Sequence, residues 1–358
     1  MKNLLIFEHS NAHGEVVYSQ LELVKKSGLN VILILNSELF LPEEPLSAKI
    51  IRLDFKLKKR TLLKHILEVI ADHNIDLIVI NTAHGNFVRS LCLRLLFKKV
   101  KVVGILHEAN KINDSFTQKI ISMKIRNYLV LSEHILRYLD THKRKGHNYS
   151  FFYPIFYPLR FVNLKKIKTD RLSICIPGGI EVERRDYFGL IDLLVKNKGR
   201  IYPLVKFILL GNAKVSDGAE VIKAIIDNDL QNYFEWFDDY IPHDLFYEKL
   251  VNSDLILPLL HPNFHFFEEC LQTKISGAFS LSLAFRKPML IHDDFMQINL
   301  FEKISIGYKV EELIETINNI AENPNLIEEK ISLFESLTEL SAVRQREQYL
   351  NFLSNAEK

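Results

Sequence analysis

The chain has 358 residues, 47% of them apolar and 25% charged, with 46 Lys+Arg against 44 Asp+Glu and three cysteines. That length is long for one core, so two domains are expected, and the composition is that of an ordinary globular protein. No apolar run approaches the roughly 20 residues of a membrane span, the start MKNLLIFEHSNAHGE lacks a long signal core, and Cys92, Cys175 and Cys270 share no metal or disulfide spacing, which fits free thiols in a reducing cytoplasm.

In chain order, KNLLIF (2–7) reads as a strand, followed by the polar loop HSNAHGE, a helix over 16–28 and a second apolar strand over 30–36. This βαβ opening indicates a parallel sheet. Its loop has one glycine, so it is not the G-x-G-x-x-G dinucleotide fingerprint. The pattern continues with strand 48–55, helix 61–74, strand 76–82, a helix near 87–99 and strand 101–108. QKIISMKI and NYLVLSEHILRYLD then give a short strand and a helix. Residues 147–166, aromatic and broken by prolines, read as a linker; the run Phe151, Phe152, Tyr153, Phe156 and Tyr157 suits hinge packing, and no nucleic-acid module accompanies it.

The second half repeats the grammar. Strand 172–179 ends in a glycine pair; a helix over 186–197, strand 204–212, helix 219–229, strand 233–241 and helix 243–254 follow. DLILPLL then forms a buried strand, HPNFHFFEECLQTK a loop, ISGAFSLSLAF a helix stopped at Lys287-Pro288, and MLI another strand. Residues 310–323 and 326–355 are helical, the last long enough to return over the first domain.

The net charge of +2 conceals an asymmetry: residues 1–160 hold 24 Lys+Arg against 14 Asp+Glu, and residues 161–358 hold 22 against 30. Runs KLKKR (56–60), KKVK (98–101) and KRK (143–145) supply much of the first half's excess, which suits an anionic surface or polyanion as well as ordinary solvated helix ends.

Several residues stand where such sheets bind ligands. Gly178 and Gly179 end a strand before a helix, where backbone can approach a diphosphate, and Arg184 and Arg185 follow as candidate anion partners. Thr273, Lys274, Ser276 and Gly277 form a second helix entrance able to hold a phosphate or sugar, or simply to cap the helix. His13, Gly14 and Glu15 sit in the first βα loop, and His107 and Glu108 end a later strand; a His or Glu there is a candidate base. Asp227-Asn228-Asp229 matches D-x-D only by coincidence, at a helix end, and no zinc spacing or P-loop occurs.

Two tandem doubly wound α/β domains, a linker and a returning C-terminal helix resemble the GT-B architecture. The second half further resembles the group 1 (family 4-like) nucleotide-sugar glycosyltransferases. IPGGIEVERRDYFGLIDLL, KFILLGN, YFEWFDDYIPHDLFYEKLVNSDLILPL and GAFSLSLAFRKPMLI follow the order of that family's blocks, over roughly 170–320. The resemblance implies an acceptor-binding domain over 1–160, a nucleotide-sugar domain over 161–335 with the two facing across a cleft, and a helix over 336–358 packing back on the first. It implies glycosyl transfer from a nucleotide-diphosphate-sugar to a hydroxyl of a glycan or lipid-linked glycan, in bacterial surface polysaccharide biosynthesis. The expected setting is cytoplasmic and peripheral on the inner membrane face, with no metal or other cofactor. Donor contacts fall on Gly178, Gly179, Arg184, Arg185, Tyr240, Ile241, Glu268, Thr273, Lys274, Ser276 and Gly277, and acceptor chemistry on His13, Glu15 and His107. The family's two glutamates eight positions apart are absent: Thr273 and Leu281 stand in their places. That departure keeps open an epimerase or hydrolase on the same fold, or a degenerate binding protein.

Overall fold

The computed structural model describes residues 2–43, 48–167 and 169–356. The chain divides into two compact units: Met1–Pro158 with Gln272–Ile275 and Glu339–Lys358, and Leu159–Leu271 with Ser276–Thr338.

The first unit holds β1 (Asn3–Glu8), β2 (Asn30–Asn36), β3 (Lys49–Leu53), β4 (Leu77–Ile80), β5 (Lys101–Ile105), β6 (Asn127–Val130) and β7 (Asn148–Phe151). They pair in parallel in the order β3-β2-β1-β4-β5-β6-β7. Parallel strands covered on both faces need apolar side chains on both, hence the unbroken runs LLIF, ILIL and LIVI. Alternate residues of β1 serve opposite cores. Leu5 and Phe7 pack with Leu63, Ile66, Leu91 and Ile121. Leu4 and Ile6 pack with Val17 and Leu21, and with Tyr349 and Leu353 from the C-terminal helix Ala342–Ala356.

The second unit holds β8 (Leu172–Pro177), β9 (Val205–Asn212), β10 (Phe234–Phe237), β11 (Leu255–Ile256), β12 (Met289–His292) and β13 (Ser305–Tyr308). Their order is β10-β9-β8-β11-β12-β13, again parallel. Ile174, Ile176, Phe207 and Leu209 pack with Leu190, Leu194, Val221 and Ile317 of the covering helices.

Three local readings are corrected. Residues 148–151, read as linker, form the seventh strand, paired to β6 at the sheet edge. Residues 265–272, read as loop, form a helix that buries Phe267 and Cys270. QKIISMKI lies mostly in the helix Phe116–Lys124, started by Ser115, whose Oγ accepts from the Gln118 amide at 3.3 Å. The strand Ser305–Tyr308 had no counterpart in the sequence reading.

Candidate functional site

In both sheets the strand order reverses direction at one point, between β1 and β4 in the first and between β8 and β11 in the second. Loops leaving the carboxyl ends of such neighbouring strands diverge and leave a ligand crevice. His13 follows β1 and His107 follows β5 in the first unit, and Gly178 and Gly179 follow β8 in the second.

In the first unit Glu8 ends β1 fully buried. Its Oε2 accepts from Asn81 Nδ2 and Thr82 Oγ1, both at 2.6 Å, and its Oε1 from the Ser10 amide at 2.7 Å. Asn81 Oδ1 in turn accepts from Gln20 Nε2 at 2.6 Å, and Gln20 Oε1 from the Tyr349 hydroxyl at 3.0 Å. A buried carboxylate this fully satisfied serves to fix the two loops beside it.

His13 and His107 stand on that frame. Their rings stack with centroids 3.8 Å apart and planes 26° apart. His107 Nε2 lies 2.8 Å from the Asn81 carbonyl. A carbonyl only accepts, so Nε2 carries the proton and Nδ1 keeps its lone pair. Burial holds His107 well below the usual imidazole range, reinforced by the charge of His13. His13 goes the other way. Burial alone would lower it, but the Glu15 carboxylate, 3.8 Å from Nδ1, and Glu8 raise it. The structure therefore brings His13, Glu15 and His107 together, as a neutral imidazole stacked on a more readily protonated one. Beside them Glu108 pairs with Lys111 at 2.7 Å; burial would raise its pKa, but Lys111 and Lys274 outweigh this and lower it.

In the second unit Gly178 has a φ of 103°, a conformation that side-chain-bearing residues rarely adopt. Arg185 is buried; its Nη1 donates to the Gly179 carbonyl at 2.9 Å and its Nη2 to the Pro177 carbonyl at 2.8 Å. Of the two candidate anion partners, Arg185 thus braces the glycine turn from within. Arg184 is exposed, bonded to Glu181 at 2.9 Å, and lies over the Phe266 ring, next to the helix that carries the exposed Glu268.

The remaining expectations divide. Ser276 caps the helix Gly277–Phe285, its Oγ accepting from Ala278. Thr273 and Lys274 do not share that entrance, because Gln272–Ile275 belongs to the first unit. The Thr273 carbonyl accepts from the Ala109 amide, and the Lys274 Nζ lies 3.8 Å from Glu108. Tyr240 is exposed, its hydroxyl 2.7 Å from His243 Nε2, whereas Ile241 is buried and presents no side chain to a ligand.

One group escaped the sequence reading. Asp186 Oδ1 accepts from the Gly189 amide at 2.8 Å and Oδ2 from His261 Nδ1 at 2.6 Å, while His261 Nε2 meets the Tyr308 hydroxyl at 3.0 Å. Burial would raise the Asp186 pKa, but the bonds from His261 and Gly189 lower it; burial pushes Tyr308 up. Ionised Asp186 can only accept, so His261 Nδ1 donates to it. Only the polar His261 just after an apolar strand hinted at this chain, since its partners are 75 and 47 residues away. Among the described residues, no group of three or more His, Cys, Asp or Glu is arranged to hold a metal ion.

Two Rossmann-like units of seven and six parallel strands, with the last helix completing the first unit, define the GT-B fold. No protein-family profile and no curated sequence matches the chain. Solved structures do. Anabaena HepE in complex with UDP superposes with a TM-score of 0.71 at 13% identity, over 99% of this chain and 100% of that one. The lipopolysaccharide outer core galactosyltransferase WaaB superposes at 0.60 and 13%, over 99% of each chain. A protein described as a UDP-N-acetylglucosamine 2-epimerase from Listeria monocytogenes superposes at 0.63 and 10%, over 98% and 95%.

Proposed function

We propose that this protein is a glycosyltransferase that moves a sugar from a nucleotide-diphosphate-sugar to a hydroxyl of a glycan or lipid-linked glycan. The observation that carries the reading is the His13–His107 stack at the switch point of the first sheet, with a neutral imidazole nitrogen left free to accept a proton. In the reaction, the acceptor oxygen bonds to the anomeric carbon as that carbon's bond to the diphosphate oxygen breaks. The hydroxyl proton passes to His107 Nδ1, and the diphosphate leaves with the electron pair. The glycine turn at 178–179 and Arg184 meet the donor's diphosphate, where amide and guanidinium donors stabilise the charge that develops on departure. Structural neighbours crystallised with UDP support a uridine diphosphate donor, and the likeness to a lipopolysaccharide outer core galactosyltransferase supports bacterial surface polysaccharide assembly.

Calorimetric titration with UDP, GDP, ADP and CMP, followed by UDP-sugars, tests the donor. Binding only to the native state raises the melting temperature by mass action, so UDP is expected to stabilise the protein selectively. Silence across the panel from a folded protein would sink the reading. Because the epimerase likeness belongs to the same fold, the UDP-sugar is also incubated alone: an epimerised sugar formed without acceptor would replace transfer with epimerisation.

A further inference from the structure

The helices Gly85–Leu95 and Phe116–Lys124 of the first unit lie side by side and run the same way. Arg89 Nη1 meets Thr117 Oγ1 at 3.5 Å near one end, and Lys124 Nζ donates to the Lys98 carbonyl at 2.8 Å near the other. Their inner faces bury Val88, Leu91, Leu95 and Ile121 in the core. Their outer faces are not polar. Leu93 is 48% exposed, Phe97 95%, Phe116 73% and Met123 51%. Leu93 and Phe97 are four residues apart and Phe116 and Met123 seven, so each pair occupies one side of its helix or of the turn just beyond it.

The two segments that carry this apolar strip hold charge of one sign, with the exposed Asp114 just before Phe116. Residues 85–101 carry five Lys/Arg and residues 116–126 carry three, without one Asp or Glu between them. The nearest acids on the flanking helix, Glu68 and Asp72, share a shallow depression with Arg60, Lys64 and Arg94. A phenylalanine almost wholly in water is unfavourable in a protein that stays in water, and a rim in which cations outnumber acids favours an anionic partner. Both features fit one environment, the boundary between anionic headgroups and acyl chains, where aromatic side chains enter and Lys/Arg remain at the phosphates.

We propose that this two-helix face docks the protein on an anionic lipid bilayer, with Phe97 and Phe116 entering the interface. The inference deepens the lipid-linked-acceptor reading above, but its test does not use activity. The full chain is co-sedimented with vesicles of phosphatidylcholine alone and of phosphatidylcholine containing about one-third phosphatidylglycerol. Binding to the anionic vesicles only is expected, falling steeply with salt. The double substitution Phe97→Ser, Phe116→Ser should lower the bound fraction about tenfold without lowering the melting temperature, since both side chains are already in water. As an independent readout, Phe97→Trp should give an emission blue shift on adding anionic vesicles that the native Trp236 does not give. Equal binding to neutral vesicles, full binding by the double-serine variant, or no vesicle binding overturns the proposal. So does loss of a lipid-free dimer on the same substitutions, which would make the strip a protein interface. UDP stabilisation without vesicle binding removes this inference alone; vesicle binding without any nucleotide response removes the transferase reading alone.

Discussion

His13 and His107 share one ring stack and shift in opposite directions: burial and then the charge of His13 hold His107 low, whereas at His13 the effect of burial is outweighed by Glu15 and Glu8. His13, raised in the fold, adds stability that is complete below pH 6.5 and fades as pH rises through its higher folded value. His84 behaves oppositely. Burial, then Lys111, pushes it from 6.5 to about 4, so it favours the fold above pH 6.5 and opposes it as pH falls toward 4. His84→Gln is therefore expected to flatten the fall in melting temperature between pH 6.5 and 4, measured by thermal denaturation across buffers. His107→Gln should retain UDP binding while transfer drops by about 10²–10⁴, the usual worth of a positioned base. Undiminished turnover in that variant would remove His107 from the chemistry. Asp186, lowered in the fold, contributes stability above pH 3.8 that disappears as pH falls through its folded value. Asp186→Asn is expected to cost about 1–3 kcal/mol near neutrality by weakening both the helix cap and the bond to His261.

At the scale of elements, the central strands and their helices could be read from sequence because a parallel sheet buried on both faces writes itself as unbroken apolar runs. The pieces that could not be read are those where that rule lapses. Asn148–Phe151 is an edge strand with a polar–aromatic sequence, and Ser305–Tyr308 carries a glycine and one aliphatic residue. The helix His265–Gln272 follows a proline at position 262. The candidate site was legible as loops at one sheet edge, but not as bonds. Nothing in the RRD sequence tells that Arg185 turns inward to two carbonyls, Arg184 outward to Glu181, and Asp186 across to a histidine 75 residues away. The two arginines should accordingly separate on substitution. Arg184→Ala is expected to weaken UDP binding and leave the melting temperature unchanged. Arg185→Ala leaves the Pro177 and Gly179 carbonyls without their charged donor, at about 1.5–3 kcal/mol, and lowers the melting temperature first. Paired calorimetric scans and UDP titrations distinguish them; equal loss of stability in both variants would return them to a single role.

At the scale of the molecule, the order of the chain and the order of its cores differ. The helix Ala342–Ala356 follows every strand of both sheets in the chain, yet its Tyr349 and Leu353 lie in the first unit's core beside Leu4 and Ile6. The Tyr349 hydroxyl also begins the buried relay through Gln20 and Asn81 to Glu8, the carboxylate that fixes the site loops. The first sheet has a complete second face only when synthesis has reached residue 356, so its last covering layer depends on sequence more than 300 positions downstream. Tyr349→Phe keeps the ring packing and removes only the donor. It leaves Gln20 Oε1 unpaired in the interior, which costs about 1–3 kcal/mol, and in a unit of this size each kcal/mol lowers the melting temperature by about 2–4 °C. Ending the chain at residue 341 is more severe, because one face of the first sheet loses its aromatic and aliphatic cover outright. Hydrogen exchange on that truncated chain is expected to deprotect β1 and β4 while β8 and β9 keep native protection, since the second unit runs only to Thr338 and its buried apolar residues end at Leu337. Uniform deprotection of both sheets would mean that the two cores fold as one cooperative body. Unchanged protection of β1 would mean that the helix is an accessory to the first unit and not its final layer.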